Sequence, residues 1–305
     1  MSEVLVERIL SVLRAPDGGG PLRQEGDRLV DEMGRAWPIV RGIPRFVADD
    51  EYAASFSFEW TTHDRTQLDI HNDDDASART LTEKTGLTAE DVRGKLVLDA
   101  GTGAGRFADV LSRWGADVAC VDLSWSVEAA RRNLMDRGNV LVAQADIRHL
   151  PFGPATFDFV ISIGVLHHTP DTRAAMLRLV PLLKPGGTLC IWVYPDTPHY
   201  RLRRLWSPFL RRLPPRWFYA WCRRFVPLAR ARQNEPLLRA VRRYFEWSEQ
   251  SLGIENDILD TFDAYSPRYH WTHTPDEVTN WFREAGLTQV EALAFETAVR
   301  GVRPG

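Results

Sequence analysis

The chain has 305 residues, with 38 basic and 41 acidic side chains for a formal net charge of -3, and 44% of its residues are hydrophobic. That is a globular composition, and at this length folding removes roughly three quarters of the unfolded chain's surface from water, so a full core needs no disulfide or metal staples. The charge excludes a uniformly basic nucleic-acid binder, and Cys120, Cys190 and Cys222 are too scattered for a disulfide framework or a zinc knuckle.

Residues 1–47 are expected to form a small α+β appendage. The stretch MSEVLVERILSVLRA has Val4, Leu5, Ile9, Val12 and Leu13 at helical spacing, and its Glu3, Glu7, Arg8 and Arg14 break any signal-peptide core. No apolar run reaches membrane-spanning length, and a reducing cytoplasm is the expected location. Asp17-Gly18-Gly19-Gly20-Pro21 ends the helical pattern, and short extended pieces near Pro21–Gln24, Arg28–Asp31 and Trp37–Val40, joined by glycine-containing turns, predict hairpins. Residues 48–87 are polar and aromatic and read as a lid or linker.

From residue 88 the pattern alternates between strands and helices. Apolar runs at 95–99, 117–121, 140–144, 157–163 and 188–194 are separated by helical periodicities such as Phe107, Val110, Leu111 and Trp114. Near-continuous apolar strands alternating with helices predict an α/β fold, a doubly wound and mostly parallel sheet covered on both faces, over 88–198. Residues 199–273 interrupt it with a basic, aromatic helical cap. Residues 274–305 return to the core with a helix capped at Thr274-Pro275-Asp276-Glu277 and a closing hairpin.

The loop in LVLDAGTGAGRF carries the strongest chemical signal. Asp99 ends a strand, and Gly101, Gly103 and Gly105 form G-x-G-x-G as the chain turns into a helix. Such glycines let the backbone approach a ligand, and the helix N-terminus offers unpaired N–H groups. A nicotinamide or flavin fingerprint has its third glycine one position later, where this chain has Arg106. Asp122 follows the second strand, where an acid hydrogen-bonds ribose hydroxyls, and Asp146 follows the third. Three carboxylates at successive strand ends repel a polyphosphate and accept a cation bearing a ribose and an adenine. S-adenosylmethionine is such a ligand.

Taken in order, DAGTGAG, VDLS, QADIRHLPF, FDFVISIGVLHHTPD and LLKPGG resemble the motifs of the class I S-adenosylmethionine-dependent methyltransferases, over about residues 94–194. The likeness is to the small-molecule, methyltransferase type 11-like group in particular. It implies S-adenosylmethionine as cofactor, with Asp99, Gly101, Gly103 and Gly105 at the methionine end. It places Asp122 at the ribose, Asp146 and Ile147 at the adenine, and Gly164 and Val165 beside the cofactor. Leu123 joins this set, as does Thr102, which stands where the group most often has cysteine. The segment RLVDEMGRAWPIVRGIPRFV also resembles the Trm112-like family of small β-rich modules. Where that family carries a C-P-x-C zinc knuckle this chain has Ala15-Pro16-Asp17-Gly18, so no metal is expected.

Methyl transfer is an in-line displacement that needs alignment, exclusion of water and, for a protonated nucleophile, a base. His167 and His168, just beyond the fourth strand at the expected mouth of the acceptor site, are candidates for that base, with loop orientation as their alternative role; Tyr194 is a further polar candidate. No Asn/Asp-Pro-Pro-aromatic or Pro-Cys motif follows the fourth strand, which argues against nucleobase and amide acceptors. Two aromatic, hydrogen-bonding segments are expected to cover the site. One contains Trp60, Arg65 and Gln67, and the other Tyr265, Arg268, Tyr269 and His273.

Residues 200–244 hold thirteen arginines against one acid, Glu235. They are suited to an anionic substrate, a peripheral membrane surface or RNA, or to solvated cap helices paired with the acidic remainder. The leading expectation is a methyltransferase acting on a small molecule, anionic or amphiphilic. Two alternatives stand beside it: an S-adenosylmethionine enzyme of the same fold that attacks the aminocarboxypropyl arm, and an RNA-associated methyltransferase or binding module.

Overall fold

In the computed structural model the described residues are 11–16, 18–47, 75–197, 210, 212–231 and 253–305. Residues 1–10 of the predicted N-terminal helix, Trp60, Arg65 and Gln67, and most of the arginine-rich stretch 200–244 lie outside them; Val12 and Leu13, expected in that helix, instead form a turn and a bridge to Phe152, where backbone pairing to the core replaces the helical turn.

The appendage is a four-stranded antiparallel meander, β1 (Arg23–Glu25), β2 (Arg28–Val30), β3 (Ala36–Val40) and β4 (Ile43–Pro44). Three of these strands answer to the extended pieces read from the sequence; β4 is additional, two residues long and too short to show a period. The appendage is not a separate lobe. Leu13 and Leu29 lie in the same buried cluster as Leu98, Phe152 and Phe157, and Phe46 N–H donates to the Gln144 carbonyl at 2.8 Å, so its last residues continue the edge of the main sheet.

Part of the expected linker is helix. α1 (Ala76–Thr85) turns Ala76, Ser77, Leu81, Lys84 and Thr85 inward and ends at Gly86, whose positive φ and 2.7 Å N–H bond to the Thr82 carbonyl close the last turn. Its inward side mixes apolar and polar groups, which hid the periodicity. The short α2 (Ala89–Val92) follows, opened by a Thr88–Asp91 capping box.

The main sheet has seven strands. β5 (Leu96–Ala100), β6 (Asp117–Asp122), β7 (Val140–Gln144), β8 (Phe157–Ile163) and β9 (Leu183–Trp192) are parallel, and β10 (Thr288–Ala292) and β11 (Ala298–Val302) form an antiparallel hairpin added beside β9. The order is β10-β11-β9-β8-β5-β6-β7. Alternate strand residues feed opposite clusters: Leu96, Leu98 and Ala100 enter one and Val97, Val118 and Cys120 the other, which is why these strands read as continuous apolar runs. α3 (Arg106–Arg113), α4 (Val127–Asn133) and α5 (Thr172–Leu179) connect the strands.

Beyond the core, α6 (Pro215–Ala231) and α7 (Ile254–Asp263) form a cap through Phe218, Cys222, Val226, Ile258 and Phe262. α8 (Pro275–Glu284) returns to the sheet, its Thr274 hydroxyl accepting from Glu277 N–H at 3.2 Å, and buries Val278, Trp281 and Phe282. No helix among the described residues is long and apolar enough to cross a membrane.

Candidate functional site

β5 is flanked by β6 on one side and β8 on the other, so the connections after β5 and β8 leave the sheet in opposite directions. A crevice opens at such a switch point, beyond the carboxyl ends of the strands. Every cofactor residue expected from the sequence lies on this edge, Asp99 and Asp122 at the ends of β5 and β6 and the others in the turns after β5, β6, β7 and β8.

The floor is the glycine loop. Gly101 and Thr102 N–H groups donate to the Val121 carbonyl at 2.8 and 3.0 Å, which folds the loop back over β6. Gly101 has a φ of +94°, and a Cβ there would stand 2.3 Å from Val165 Cγ2; the loop packs so closely on the Val165 side chain that no side chain fits at this position. Gly105 serves packing instead: its Cβ would meet Leu134 Cδ1 at 2.8 Å, where α3 crosses α4.

Asp122 is held in one orientation. Its Oδ2 accepts from Gly103 N–H at 2.9 Å, and its Oδ1 from Ser124 N–H at 2.9 Å and Ser124 Oγ at 2.7 Å. The carboxylate remains partly exposed at the rim. The adjoining Leu123 carbonyl accepts from Gln144 Nε2 at 2.8 Å.

Asp99 is buried, and Thr102 Oγ1 donates to its Oδ2 at 2.8 Å. Burial raises its carboxyl to about 7, the Thr102 hydrogen bond opposing and the Asp122 charge reinforcing the shift. Thr102 therefore faces Asp99 with its side chain, and only its backbone borders the loop.

Asp146 is clamped by its own neighbour. Arg148 donates from N and Nε to Oδ1 at 2.8 and 3.1 Å, and from Nε and Nη2 to Oδ2 at 3.0 and 2.6 Å. Ile147 and Arg148 lie in the single 3-10 turn that Asp146 caps. The sequence showed Arg148 beside the acid, but only the turn brings the guanidinium round to both oxygens.

On the other side of the crevice stands an aromatic cluster. His167 and His168, expected at the mouth of the acceptor site, both have buried rings, and residues 269–273 lie across them. The Trp271 N–H donates to the His167 carbonyl at 3.0 Å, its Nε1 to the Thr169 carbonyl at 3.0 Å, and His273 N–H to the Tyr194 carbonyl at 2.9 Å. The His167 ring is 3.8 Å from Tyr194 and 4.1 Å from His168, and neither of its nitrogens has a hydrogen-bond partner. Burial lowers its pKa well below the ordinary value, the neighbouring His168 and His270 adding to the shift, so the ring is neutral at pH 7.

His168 Nδ1 lies 2.9 Å from the Tyr269 carbonyl. A carbonyl only accepts, so Nδ1 carries the proton and Nε2 is the basic nitrogen. His270, which belongs to the aromatic segment expected to cover the site, stacks on His168 at 5.8 Å. Tyr194 donates to Asp263 Oδ2 at 2.8 Å, tying β9 to the cap.

The other expected covering residues divide. Tyr265 is buried in the cap core against Phe218, and exposed Arg268 sits over the Tyr269 ring at 5.5 Å. His273 is placed elsewhere: its Nδ1 faces Glu277 at 3.1 Å and its Nε2 Thr172 Oγ1 at 3.0 Å, bridging α8 to α5. Among the described residues no cluster of three or more His, Cys, Asp or Glu side chains could hold a metal ion.

Residues 98–191 match the family model described as "Methyltransferase domain". The demethylmenaquinone methyltransferase of Thermobifida fusca is 38% identical over 116 residues, 37% of this chain and 49% of that protein. The ubiquinone biosynthesis O-methyltransferase of Paracidovorax citrulli is 33% identical over 110 residues, 35% of this chain and 44% of that protein. A solved S-adenosylmethionine-dependent methyltransferase from Mesorhizobium loti is similar at 27% identity with a TM-score of 0.33, covering 36% of this chain and 50% of that one. The chain spans about half the length of the curated relatives it matches. The residues present fit S-adenosylmethionine: the glycine loop, packed too closely on Val165 for a side chain at Gly101, presents bare backbone, and the oriented acid Asp122 stands at the next strand end, where a ribose diol needs an acceptor.

Proposed function

We propose that this protein is an S-adenosylmethionine-dependent methyltransferase acting on a small-molecule acceptor. The observation that carries the reading is the gathering, at one sheet edge, of the glycine loop packed on Val165, the oriented Asp122 and the His168–Tyr269 hydrogen bond that joins the loops after β8 and α7. The methyltransferase-domain match over 98–191 supports it.

The cofactor, when bound, supplies a methyl group on a sulfonium, a carbon electrophile with a neutral leaving group. The chain's own residues do the rest. The Gly103 N–H and Ser124 fix the Asp122 carboxylate for the ribose hydroxyls, and the close packing of Gly101 on Val165 keeps the loop backbone free of side chains where a ligand meets it. The Nδ1–H of His168 donates to the Tyr269 carbonyl, which orients Nε2 to accept a proton from an acceptor hydroxyl. The rings of His167, Tyr194 and His270 pack against the His168 ring and keep it from turning. Alignment and exclusion of water are what a displacement at carbon demands.

The reading extends to the flanking parts. The N-terminal β unit is a Trm112-like module without zinc ligands, fused to the sheet edge it supports, and the protein works in the cytoplasm. Its partner is a small molecule, not a nucleic acid. The arginine-rich insertion 200–244 is a peripheral contact for an anionic membrane surface: α6 leaves Trp217 69% exposed and Trp221, Phe225 and Leu228 partly so, along one side beside Arg216 and Arg224.

The test is product analysis. Incubated with S-adenosylmethionine and a panel of hydroxylated aromatic acceptors, the enzyme yields S-adenosylhomocysteine and an acceptor heavier by one methylene. Methylthioadenosine formed without any acceptor overturns methyl transfer in favour of attack on the aminocarboxypropyl arm.

A further inference from the structure

Lys84 is one of only three lysines in the chain and is 9% exposed. Its Nζ lies 3.3 Å from the centroid of the Trp192 ring and 4.8 Å from that of Phe295. Among the described residues, no hydrogen bond or ion pair to a carboxylate accompanies these contacts. The electrostatic neighbours that face it are Arg106 at the start of α3, Asp260 on α7 and Glu83 on α1. A buried ammonium held by ring faces alone is costly, because cation–π attraction returns less than the hydration it replaces. Burial and Arg106 bring its pKa down to about 7, with Asp260 and Glu83 opposing.

The position is as informative as the charge. Trp192 ends β9 and is shared: Lys84 lies over its ring, Tyr194 packs on it at 5.5 Å and His167 at 6.3 Å, and a Cβ on Gly164 would stand 3.5 Å from its Cζ3. Lys84 therefore shares one ring, Trp192, with the histidine–tyrosine cluster and the turn after β8. Arg106, held by Ser77 Oγ at 3.0 Å, adds a second positive charge from the glycine-loop side. Two cations and two ring faces make a setting for a planar anion.

We propose that Lys84 is the counter-cation of an anion subsite in the acceptor pocket, taking a carboxylate carried by an aromatic acceptor. The proposal rests on the methyl-transfer reading above for the identity of the pocket. An aromatic carboxylate lies against Trp192 and Phe295 and pairs with the ammonium, and the pairing holds the reacting hydroxyl of that molecule at a fixed reach from His168.

The experiment uses the full chain saturated with S-adenosylhomocysteine, with benzoate as probe and benzamide as its neutral isostere. Binding of S-adenosylhomocysteine alone is measured first and decides the cofactor assignment separately. The wild type is expected to bind benzoate at least tenfold more tightly than benzamide. Lys84→Met, which fills the same volume without the charge, is expected to lose that preference while its S-adenosylhomocysteine affinity stays within twofold of wild type; Lys84→Arg retains part of it. Three results overturn the proposal: benzoate binding no tighter than benzamide in the wild type, an undiminished preference in Lys84→Met, or loss of S-adenosylhomocysteine affinity with benzoate unaffected, which assigns the cation to the cofactor's own carboxylate.

Discussion

Arg45 donates from Nη1 to Gln144 Oε1 at 3.0 Å across 99 residues of sequence, and this contact couples the N-terminal β unit to the cofactor edge. Gln144 passes the constraint on by donating to the Leu123 carbonyl beside Asp122 at 2.8 Å. Arg45 is also ion-paired with Glu128 and lies 5.1 Å from the Trp125 ring, so one buried guanidinium grips the whole turn after β6. Arg45→Met leaves Glu128 with only the exposed Arg41 at 3.5 Å. Removing one partner of a buried pair typically costs about 3 kcal/mol, and urea unfolding is expected to show a loss of that order. Arg45→Met/Glu128→Gln should recover a good part of it, and S-adenosylhomocysteine should bind Arg45→Met more weakly than wild type. Unchanged stability and affinity in the single variant contradict the coupling.

Asp99 sets a pH dependence of known sign. Its folded carboxyl is raised to about 7, whereas an unfolded aspartate ionises near 4. Between those values the unfolded chain gives up a proton that the folded chain keeps. Stability therefore falls as pH rises from about 4 to about 7, and the effect is flat outside that window. The full span corresponds to on the order of 4 kcal/mol. Denaturant unfolding at pH 5 and pH 8 should show the fall in wild type and a smaller one in Asp99→Asn; equal falls contradict the assignment. A ligand ammonium beside Asp99 favours the ionised form, so binding of S-adenosylhomocysteine at pH 6 is expected to release protons, detectable as a buffer-dependent heat.

His168 and His167 should separate in mutagenesis. A positioned base contributes about 10²- to 10⁴-fold, so His168→Ala is expected to lower kcat by that range with the cofactor affinity unchanged. His167→Phe keeps the ring against Tyr194 and removes two buried nitrogens that nothing satisfies in the structure, so it should not lower stability. Steady-state rates and thermal melts check both; a His168→Ala enzyme of normal kcat removes the base from His168.

Gly101→Ala tests the glycine loop. The substituted Cβ meets Val165 and the residue must hold a φ of +94°. Loss of S-adenosylhomocysteine binding is expected, with Gly101→Ala/Val165→Ala recovering only part, because the Cβ of residue 165 still stands 2.8 Å away and the backbone strain of about 1–3 kcal/mol persists. Full affinity in Gly101→Ala contradicts a ligand seated over the loop.

What could be read in the chain beforehand follows a physical division. The parallel sheet was legible because β5, β6 and β8 are buried on both faces and appear as continuous apolar runs. Asp99, Gly101, Asp122 and Asp146 were legible because strand ends and glycine turns sit at fixed distances along the sequence. Lys84 and Arg45 were not, since each acts on residues far away in sequence: Lys84 on Trp192, Arg45 on Gln144. α1 was missed for a related reason. Its inward face carries Lys84 and Thr85 beside Leu81, and a polar inward residue weakens the apolar period that marks a helix. The closure of residues 269–273 over the histidines depends on backbone hydrogen bonds, which any sequence could supply and none advertises.

The most direct test of the central claim is calorimetric titration of the protein with S-adenosylhomocysteine, compared with Asp122→Ala. A carboxylate accepting ribose hydroxyls contributes roughly 1.5–3 kcal/mol per hydrogen bond, so saturable one-to-one binding in wild type and at least a roughly tenfold weaker Kd in the variant are expected. An absence of binding, or an affinity indifferent to Asp122, contradicts the cofactor site and the methyl transfer built on it.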